Sequence, residues 1–137
     1  MDDLLTFEAW PDPVVDAFDQ SPDAPYARLA WLPTIGPSSY LLWGTLAAQL
    51  RRERIVTWDL ADLAAAHGMH RGSGRHAMVR RTLTRLVQFH LLAEHGPDAW
   101  LVRLCAPPVS RRQLERLPAV VAELHRRAFE DPRRRAG

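Results

Sequence analysis

Apolar positions along residues 38–106 recur with helical spacing in some segments and with strand spacing in others. Helical spacing, with apolar residues three or four positions apart, occupies the segments 38–52, 60–67 and 75–90. Short β-prone runs separate or follow these segments at 55–57, 91–94 and 100–104. The pattern predicts the order helix, strand, helix, turn, helix, β-hairpin, which is a mainly α fold with a small β-hairpin.

Local signals mark the ends of these segments. Asp59 stands where its side chain can cap the second helix, and Gly68 follows the last apolar turn of that helix. A glycine at this point often ends a helix, because it adopts the left-handed conformation readily. Residues 95–99 contain a Gly-Pro pair and are typical of a hairpin turn. These signals predict one domain over residues 38–106.

The segment before this domain combines carboxylates, prolines and aromatic side chains, and it predicts an acidic N-terminal arm over residues 1–37. Asp12 as a cap and Pro13 in the first turn predict one short helix in the arm. The aromatic face of this helix is expected to dock on the body of the protein. Residues 19–37 contain four prolines, so we expect them to form an extended connector.

After a Pro-Pro pair, the sequence predicts a C-terminal helix within residues 107–130. Ser110 and Gln113 have the spacing of a capping box, and Pro118 must interrupt or kink the helix. The apolar residues of this helix follow a/d spacing and are Leu114, Leu117, Val121, Leu124 and Ala128. Such a stripe predicts a homodimer contact. The Arg-rich residues 131–137 predict a disordered basic tail.

Charge is distributed unevenly along the chain. All 18 basic residues are arginine, and residues 1–27 hold seven carboxylates and no arginine. Residues 28–137 therefore carry 18 arginines against nine carboxylates, an excess of nine positive charges. A basic body of this kind predicts a polyanionic partner. A solvated surface of uneven charge explains the same numbers, so charge alone leaves both interpretations open.

Composition and spacing disfavour several other classes of protein. No apolar run reaches the roughly 18 residues that a membrane span needs, and the acidic start of the chain differs from a secretory signal. The single cysteine, Cys105, excludes an intrachain disulfide. We therefore expect a cytoplasmic protein without membrane contact. The spacing of His67, His70 and His76 matches no zinc site, and no catalytic motif is recognisable, so we expect no enzyme activity, metal or cofactor.

A family resemblance begins at residues 79–92. They read VRRTLTRLVQFHLL, in which leucines follow the first valine after four and seven positions and a Leu-Leu pair ends the run. This pattern resembles the recognition helix and first wing strand of GntR-like and MarR-like bacterial regulators, and residues 60–68 resemble their second helix. The resemblance covers residues 38–104. It implies a winged helix-turn-helix fold whose third helix lies in the major groove of DNA, and it implies that Arg80 contacts DNA.

The third predicted helix supplies most of the candidate DNA-binding residues. With the apolar positions buried, a rotation of 100° per residue places on the outer face Ala77, Arg81, Thr84 and Gln88. Arginine can read guanine, glutamine can read adenine, and threonine can contact a phosphate or a thymine methyl group. The predicted DNA-binding residues are Arg71, Ser73, Arg75, His76, Arg80, Arg81, Thr84 and Arg85. Ser73 is included because its glycine-flanked amides can bind a phosphate at the start of the helix.

Two functions remain open. The first is a sequence-specific double-stranded DNA-binding protein, a transcriptional regulator that acts as a dimer. The alternative is a winged-helix adaptor, which binds a protein partner of replication, segregation or mobile-element machinery through the acidic arm or the C-terminal helix. The predicted hairpin turn holds Pro97 and Asp98 and no arginine, which favours the adaptor. Opposite charges on arm and body also allow the arm to cover the basic face and mimic DNA until it is displaced.

Overall fold

The computed structural model describes residues 3–69 and 77–130. The helices in these ranges are α1 (Pro13–Asp16), α2 (Pro25–Ile35), α3 (Pro37–Leu50), α4 (Leu60–Ala66), α5 (Met78–Gln88), α6 (Arg111–Glu115) and α7 (Ala119–His125), with a π-helical segment (Arg126–Glu130) after α7. The strands are β1 (Leu4–Ala9), β2 (Ile55–Asp59), β3 (Leu92–Glu94) and β4 (Ala99–Val102). Helices predominate, as predicted, but the sheet is larger than the predicted hairpin. None of the described helices has the length and apolar character that a membrane span requires.

The four strands form one sheet in the order β2-β1-β4-β3. β1 runs antiparallel to β2 and parallel to β4, while β3 and β4 form the predicted antiparallel hairpin. Leu5 and Phe7 of β1 are fully buried, and the residues between and after them are only partly covered. The ring of Phe7 stacks on Trp100 of β4 with the ring centroids 5.4 Å apart. β1 therefore joins β2 to the hairpin.

One hydrophobic core connects the sheet to the helices. Trp43 in α3 is fully buried, and its indole N–H donates to the carbonyl of Arg103 at 2.9 Å. Leu83 and Leu86 are buried on the inward side of α5, which contacts α3 and α4. Burying a large apolar side chain stabilises the fold by about 1.5–3 kcal/mol. These contacts therefore hold α5 in a fixed orientation.

The extended connector predicted over residues 19–37 is wrong, because residues 25–35 form α2. Pro25 occupies the first turn of α2, where the missing amide has no intrahelical acceptor to serve. Trp31 of α2 is buried, and its indole N–H donates to the carbonyl of Pro107 at 2.9 Å. The prolines thus mark the start and the last turn of a core helix.

The predicted short helix before α2 is confirmed as α1. The Asp12 carboxylate accepts a hydrogen bond from the Val15 amide at 3.1 Å, and Pro13 stands in the first turn. No strand was predicted before α1, yet residues 4–9 form β1 and lie between two other strands. The N-terminal segment from β1 to α2 therefore packs into the same core as the rest of the protein.

The segment from α3 to β4 follows the predicted order of elements. Gly68 ends α4 with a φ of 65°, as its position predicted. The amides of Gly68 and Met69 donate to the carbonyls of Ala65 and Ala64 at 3.2 and 2.8 Å, which satisfies the last carbonyls of the helix.

The start of α4 differs from the prediction. Asp59 is the N-cap residue, but its side chain accepts no hydrogen bond from the helix. The Leu60 amide donates instead to the backbone carbonyl of Asp3 at 2.8 Å. The N-terminal segment therefore replaces the local cap that the sequence predicted.

The C-terminal helix is interrupted at Pro118, as predicted, and forms α6 and α7. The capping residue is confirmed, because the Gln113 amide donates to the Ser110 hydroxyl at 3.1 Å. Residues 131–137, predicted to be a disordered tail, lie outside the described residues.

The apolar stripe of the C-terminal helices packs within its own chain. Val121 and Ala128 are buried, and the partly buried members packed against the core are Leu114, Leu117 and Leu124. The stripe is therefore occupied without a second subunit. The reason for expecting a dimer contact at this surface is lost, and a homodimer stays a prediction.

Tyr26 ties α2 to the C-terminal segment. Its hydroxyl accepts a hydrogen bond from the Val109 amide at 2.8 Å and lies 3.2 Å from Nδ1 of His125. Burial raises the pKa of Tyr26 to about 12, so the hydroxyl stays protonated at neutral pH. Burial lowers the pKa of His125, and the Glu130 carboxylate opposes this shift. The contact joins two elements that are distant in the sequence.

Candidate nucleic-acid interface

The predicted DNA-binding residues fall into two groups. Those that lie outside the described residues are Arg71, Ser73, Arg75 and His76. Those that the structure describes all lie on α5 and are Arg80, Arg81, Thr84 and Arg85. α5 contains three arginines and no carboxylate. Its three arginines nevertheless have three different environments.

The outer face of α5 is formed by Arg81, Thr84 and Gln88, which are all exposed as predicted. The Thr84 hydroxyl donates to the carbonyl of Arg80 at 3.0 Å, which leaves its oxygen available as an acceptor. Ala77 is buried and precedes α5 as its N-cap residue, so its predicted place on the outer face is wrong. The 100° rotation applies only inside the helix, and Ala77 lies before the first helical residue.

Arg80 projects towards the β3–β4 hairpin. Its Nη1 atom lies 2.7 Å from the Asp98 carboxylate in the hairpin turn, and its Nη2 atom lies 3.8 Å from the carboxylate of Asp3. Glu94 of β3 lines the same concave surface. We call Arg80, Asp3, Glu94 and Asp98 together the acidic flank of α5. The positive charge of Arg80 is largely compensated by carboxylates before any partner arrives.

The hairpin turn holds Asp98 in place. The residue has a φ of 51°, in the left-handed region that Asp and Asn tolerate better than most residues. The Thr6 amide of β1 donates to the Asp98 carbonyl at 2.9 Å. β1 therefore fixes the position of the carboxylate that binds Arg80.

Arg85 is bound to the end of α2. Its Nε donates to the carbonyl of Ile35 at 2.9 Å, and one Nη atom lies 3.4 Å from the carbonyl of Thr34. The guanidinium also lies 5.3 Å from the ring centre of Phe89. Carbonyls in the last turn of a helix have no intrahelical donor, and Arg85 supplies one. Two of the five N–H donors of this predicted DNA-binding residue are thus already in use.

Arg81 borders a cleft between α5 and the start of α3, with a volume of about 370 Å³. Within the ranges that the structure describes, its polar lining includes two arginines and no carboxylate, so we call it the basic cleft. The polar residues of this lining are Ser38, Ser39, Arg81, Thr82 and Arg85. Within residues 3–69 and 77–130, the Arg81 side chain forms no hydrogen bond or ion pair. Arg81 therefore keeps its full charge and all its donors for a partner.

Sequence reasoning missed the serines of this cleft. Ser38 and Ser39 follow a Gly-Pro pair, which is a usual beginning of a helix, and a helix start is a known signal for anion binding. No local signal, however, indicates that this helix start lies beside α5. The contact exists because α3 and α5 pack against each other in the core.

The N-terminal arm cannot detach as a whole from the rest of the protein. Leu5 and Phe7 are fully buried in the sheet, so removing residues 1–27 would remove part of the core. Asp3 is the arm carboxylate that reaches α5, and it lies just before β1. Asp12 binds Arg103 at 2.6 Å instead, at the end of β4.

Other chemistry is poorly supported by the described residues. Within residues 3–69 and 77–130, no group of three or more His, Cys, Asp or Glu side chains could hold a metal ion. Burial raises the pKa of the Cys105 thiol, which keeps it protonated at neutral pH. No protein-family model, curated protein or solved structure matches this chain at a significant level. Function is therefore inferred from α5 and its two flanks.

Proposed function

We propose that this protein binds double-stranded DNA and places α5 in the major groove, in the manner of a winged helix-turn-helix protein. The observation that carries the proposal is the outer face of α5. Arg81, Thr84 and Gln88 are exposed there, on a helix that contains no carboxylate. The major groove is about 12 Å wide and admits an α-helix.

The three side chains of the outer face have suitable chemistry for the groove. Arg81 can donate two hydrogen bonds to a guanine or bind a phosphate, and Gln88 can pair with an adenine. Thr84 can place its methyl group against a thymine methyl group. The rigid core contacts of α5 support the proposal, because a helix that reads bases must be held at a fixed angle.

The order of elements from α3 to β4 also supports a winged helix-turn-helix arrangement, with α4 and α5 as the helix-turn-helix and β3–β4 as the wing. The strand β1 between β2 and β4 is an addition to that arrangement. In this proposal the protein is a transcriptional regulator in the cytoplasm and not an enzyme. A homodimer would read two half-sites. Its subunits would contact each other through a surface other than the apolar stripe of the C-terminal helices.

A second candidate function is that of a protein-binding adaptor. The acidic flank favours it, because the hairpin presents Glu94 and Asp98 where a DNA-binding wing would present basic residues. A groove between α2 and α3 also favours an adaptor. Its lining includes Leu32, Tyr40 and Leu41, and Leu41 is largely exposed. Exposed apolar patches of this kind are common at protein interfaces.

The test is binding to a random-sequence duplex across a salt series, with the wild type beside Arg81→Ala. We expect the wild type to lose affinity steeply as salt rises, because bound phosphates release counterions. Arg81→Ala should lower the affinity about tenfold and make the salt slope shallower by about one unit. Arg28→Ala is the matched control, since Arg28 is an exposed arginine on α2 and its loss changes the net charge equally.

Three results separate the candidates. A larger loss for Arg81→Ala than for Arg28→Ala supports a DNA-binding α5. Equal losses of DNA affinity would mean that binding depends only on the net charge of the protein, and the role proposed for α5 would be wrong. A wild-type protein that binds no duplex at any salt concentration of the series would contradict DNA binding and favour the adaptor.

A further inference from the structure

The basic cleft is a second feature beside the outer face of α5. It is a shallow, open cleft between the first turn of α3 and the first half of α5, with a volume of about 370 Å³. Arg81 stands on its rim with an exposed guanidinium, and Arg85 adds a second positive charge. Among the described residues, no Asp or Glu lines the cleft, so it attracts anions.

The start of α3 contributes free donors to the cleft. Its N-cap residue is Gly36, and no side chain caps the helix. The amides of Ser38 and Ser39 lie in the first turn, where a helix has no intrahelical acceptors. α3 has 14 residues, and a helix of this length carries a partial positive charge at its N-terminus. The first turn of α3 thus combines unpaired amide donors with a favourable dipole.

The Ser39 side chain is an independent indication of a ligand. The residue is 96% buried, being only 4% exposed, and it lines the cleft. Its hydroxyl has no hydrogen-bond partner within residues 3–69 and 77–130. Thr34 and Thr82, by contrast, donate to carbonyls four residues earlier in their own helices.

The free hydroxyl of Ser39 must still meet solvent. Within the described residues, every side-chain nitrogen or oxygen atom that is fully enclosed has a hydrogen-bond partner. A hydroxyl without a partner on a buried residue therefore reaches the open space that the residue lines, which is the cleft. Ser39 offers a further donor directed at the same volume as the amides of α3.

We propose that the basic cleft binds one phosphate group through the Ser38 and Ser39 amides, the Ser39 hydroxyl and the Arg81 guanidinium. Amides at a helix N-terminus together with an arginine form a common phosphate site. If the proposed function is correct, on which this part of the inference rests, the phosphate belongs to the DNA backbone beside the groove that α5 enters. Otherwise the same site takes a free phosphate.

The test follows the backbone amide of Ser39 by NMR in the full chain during two titrations. The first ligand is inorganic phosphate at constant ionic strength, adjusted with sodium chloride, and the second is a random-sequence duplex. We expect the Ser39 amide signal to shift saturably with phosphate. The duplex should shift the signals of both Ser39 and Thr84, because one partner would contact the cleft and the outer face together.

Ser38→Asp is the variant that tests the site. An aspartate in the first turn suits the helix dipole, so the variant should fold, but its carboxylate repels phosphate inside the cleft. We expect phosphate affinity to fall about tenfold, as expected for a like charge within a few ångströms. Ala122→Glu is the matched control, because Ala122 is exposed on α7 and the substitution changes the net charge equally. Its phosphate affinity should stay near the wild-type value.

Each outcome decides between the two proposals. If phosphate shifts the Ser39 signal and Ser38→Asp weakens this binding about tenfold, while the duplex shifts neither signal, the phosphate site stands and DNA binding is wrong. If the duplex shifts Thr84 while neither ligand shifts Ser39, DNA binding stands and the phosphate site is wrong. Equal weakening by Ser38→Asp and Ala122→Glu would also overturn the phosphate site, since only net charge would then matter.

Discussion

Two neighbouring arginines of α5 have opposite environments, one on the acidic flank and the other beside the basic cleft. On the acidic flank, Arg80 is held by Asp98 at 2.7 Å and is further compensated by Asp3. On the side of the basic cleft, Arg81 has no carboxylate beside it in the described part of the chain, and it faces the first turn of α3. The two residues are adjacent in the sequence and have the same side chain. Only one of them remains free for an anionic partner.

This difference shows that the charge of a helix face depends on what packs beside the helix. Arg80 and Arg81 are separated by 100° around α5, so one turns towards the hairpin and the other towards α3. The family resemblance implies a DNA contact for Arg80, while among the described residues it is Arg81 that has no partner. If the protein binds DNA as proposed, the cleft side of α5 would be its main electrostatic contact.

The acidic flank depends on β1, and the largest expected effect comes from removing the anchor of this strand. Phe7→Ala deletes a fully buried ring that stacks on Trp100, so we expect the free energy of unfolding to fall by about 3–5 kcal/mol. Urea denaturation measures this loss. Leu4→Ala in the same strand is the control, because Leu4 is 49% exposed and should cost less than about 1 kcal/mol. Equal losses for both variants would mean that β1 is not part of the core.

The next largest effect should separate Arg85 from Arg81. Arg85→Ala leaves the carbonyls of Ile35 and Thr34 without their donor, so the free energy of unfolding should fall by about 1–2 kcal/mol. Arg81→Ala should change it by less than about 0.5 kcal/mol, because Arg81 contacts no partner in the described part of the chain. Urea denaturation of both variants gives the comparison. A greater loss of stability for Arg81→Ala would reverse the roles assigned to the two arginines.

A smaller effect is expected from releasing Arg80. Asp98→Asn keeps a residue that tolerates the left-handed backbone and removes the carboxylate, so the freed arginine should raise DNA affinity about fivefold. The duplex salt series measures this gain. Asp23→Asn, a substitution of an exposed aspartate outside the acidic flank, is the control for net charge. If Asp98→Asn gains no more than Asp23→Asn, the acidic flank does not restrain Arg80.

The smallest effect concerns Asp12, the arm carboxylate that is committed to Arg103 and not to α5. The hydrogen bond from Arg103 holds the pKa of Asp12 below its ordinary value of 3.8. Because the unfolded chain binds the proton more readily, this contact stabilises the fold above pH 3.8 and the contribution is lost as pH falls through the lowered pKa. An NMR titration of the Asp12 carboxyl should show the low pKa.

Arg103→Met should return the pKa of Asp12 towards 3.8, whereas Arg28→Met should leave its titration unchanged. If Arg103→Met has no effect, the pair between Asp12 and Arg103 does not form in solution.

Local signals predicted the elements whose stabilising contacts are themselves local. Gly68 ends α4 through hydrogen bonds between residues three and five positions apart, and Ser110 caps α6 three residues before Gln113. Helical rotation alone placed Arg81, Thr84 and Gln88 correctly on the outer face of α5, but it misplaced Ala77, which lies before the helix. The sequence of α2 also carries a readable pattern, because Tyr26 and Ala30 are four residues apart and both buried. The prediction of an extended connector was based on the prolines of this segment and not on that pattern.

Non-local contacts were not predictable in the same way. β1 alternates buried and less buried residues as a strand should, but nothing near it in the sequence indicates that it pairs with residues 55–59 and 99–102. The cap of α4 by the Asp3 carbonyl comes from a residue more than 50 positions earlier. Such contacts depend on how elements pack, and local signals along one sequence do not specify that packing.

The sequence by itself determined the helical periods, the caps at Gly68 and Ser110, and an α5 with three arginines and no carboxylate. These features depend on residues within one or two turns of each other. Only the tertiary structure decided which of those arginines remains free. Asp98, the carbonyl of Ile35 and the first turn of α3 reach α5 from other parts of the chain, and the packing of the core places each of them beside a different arginine.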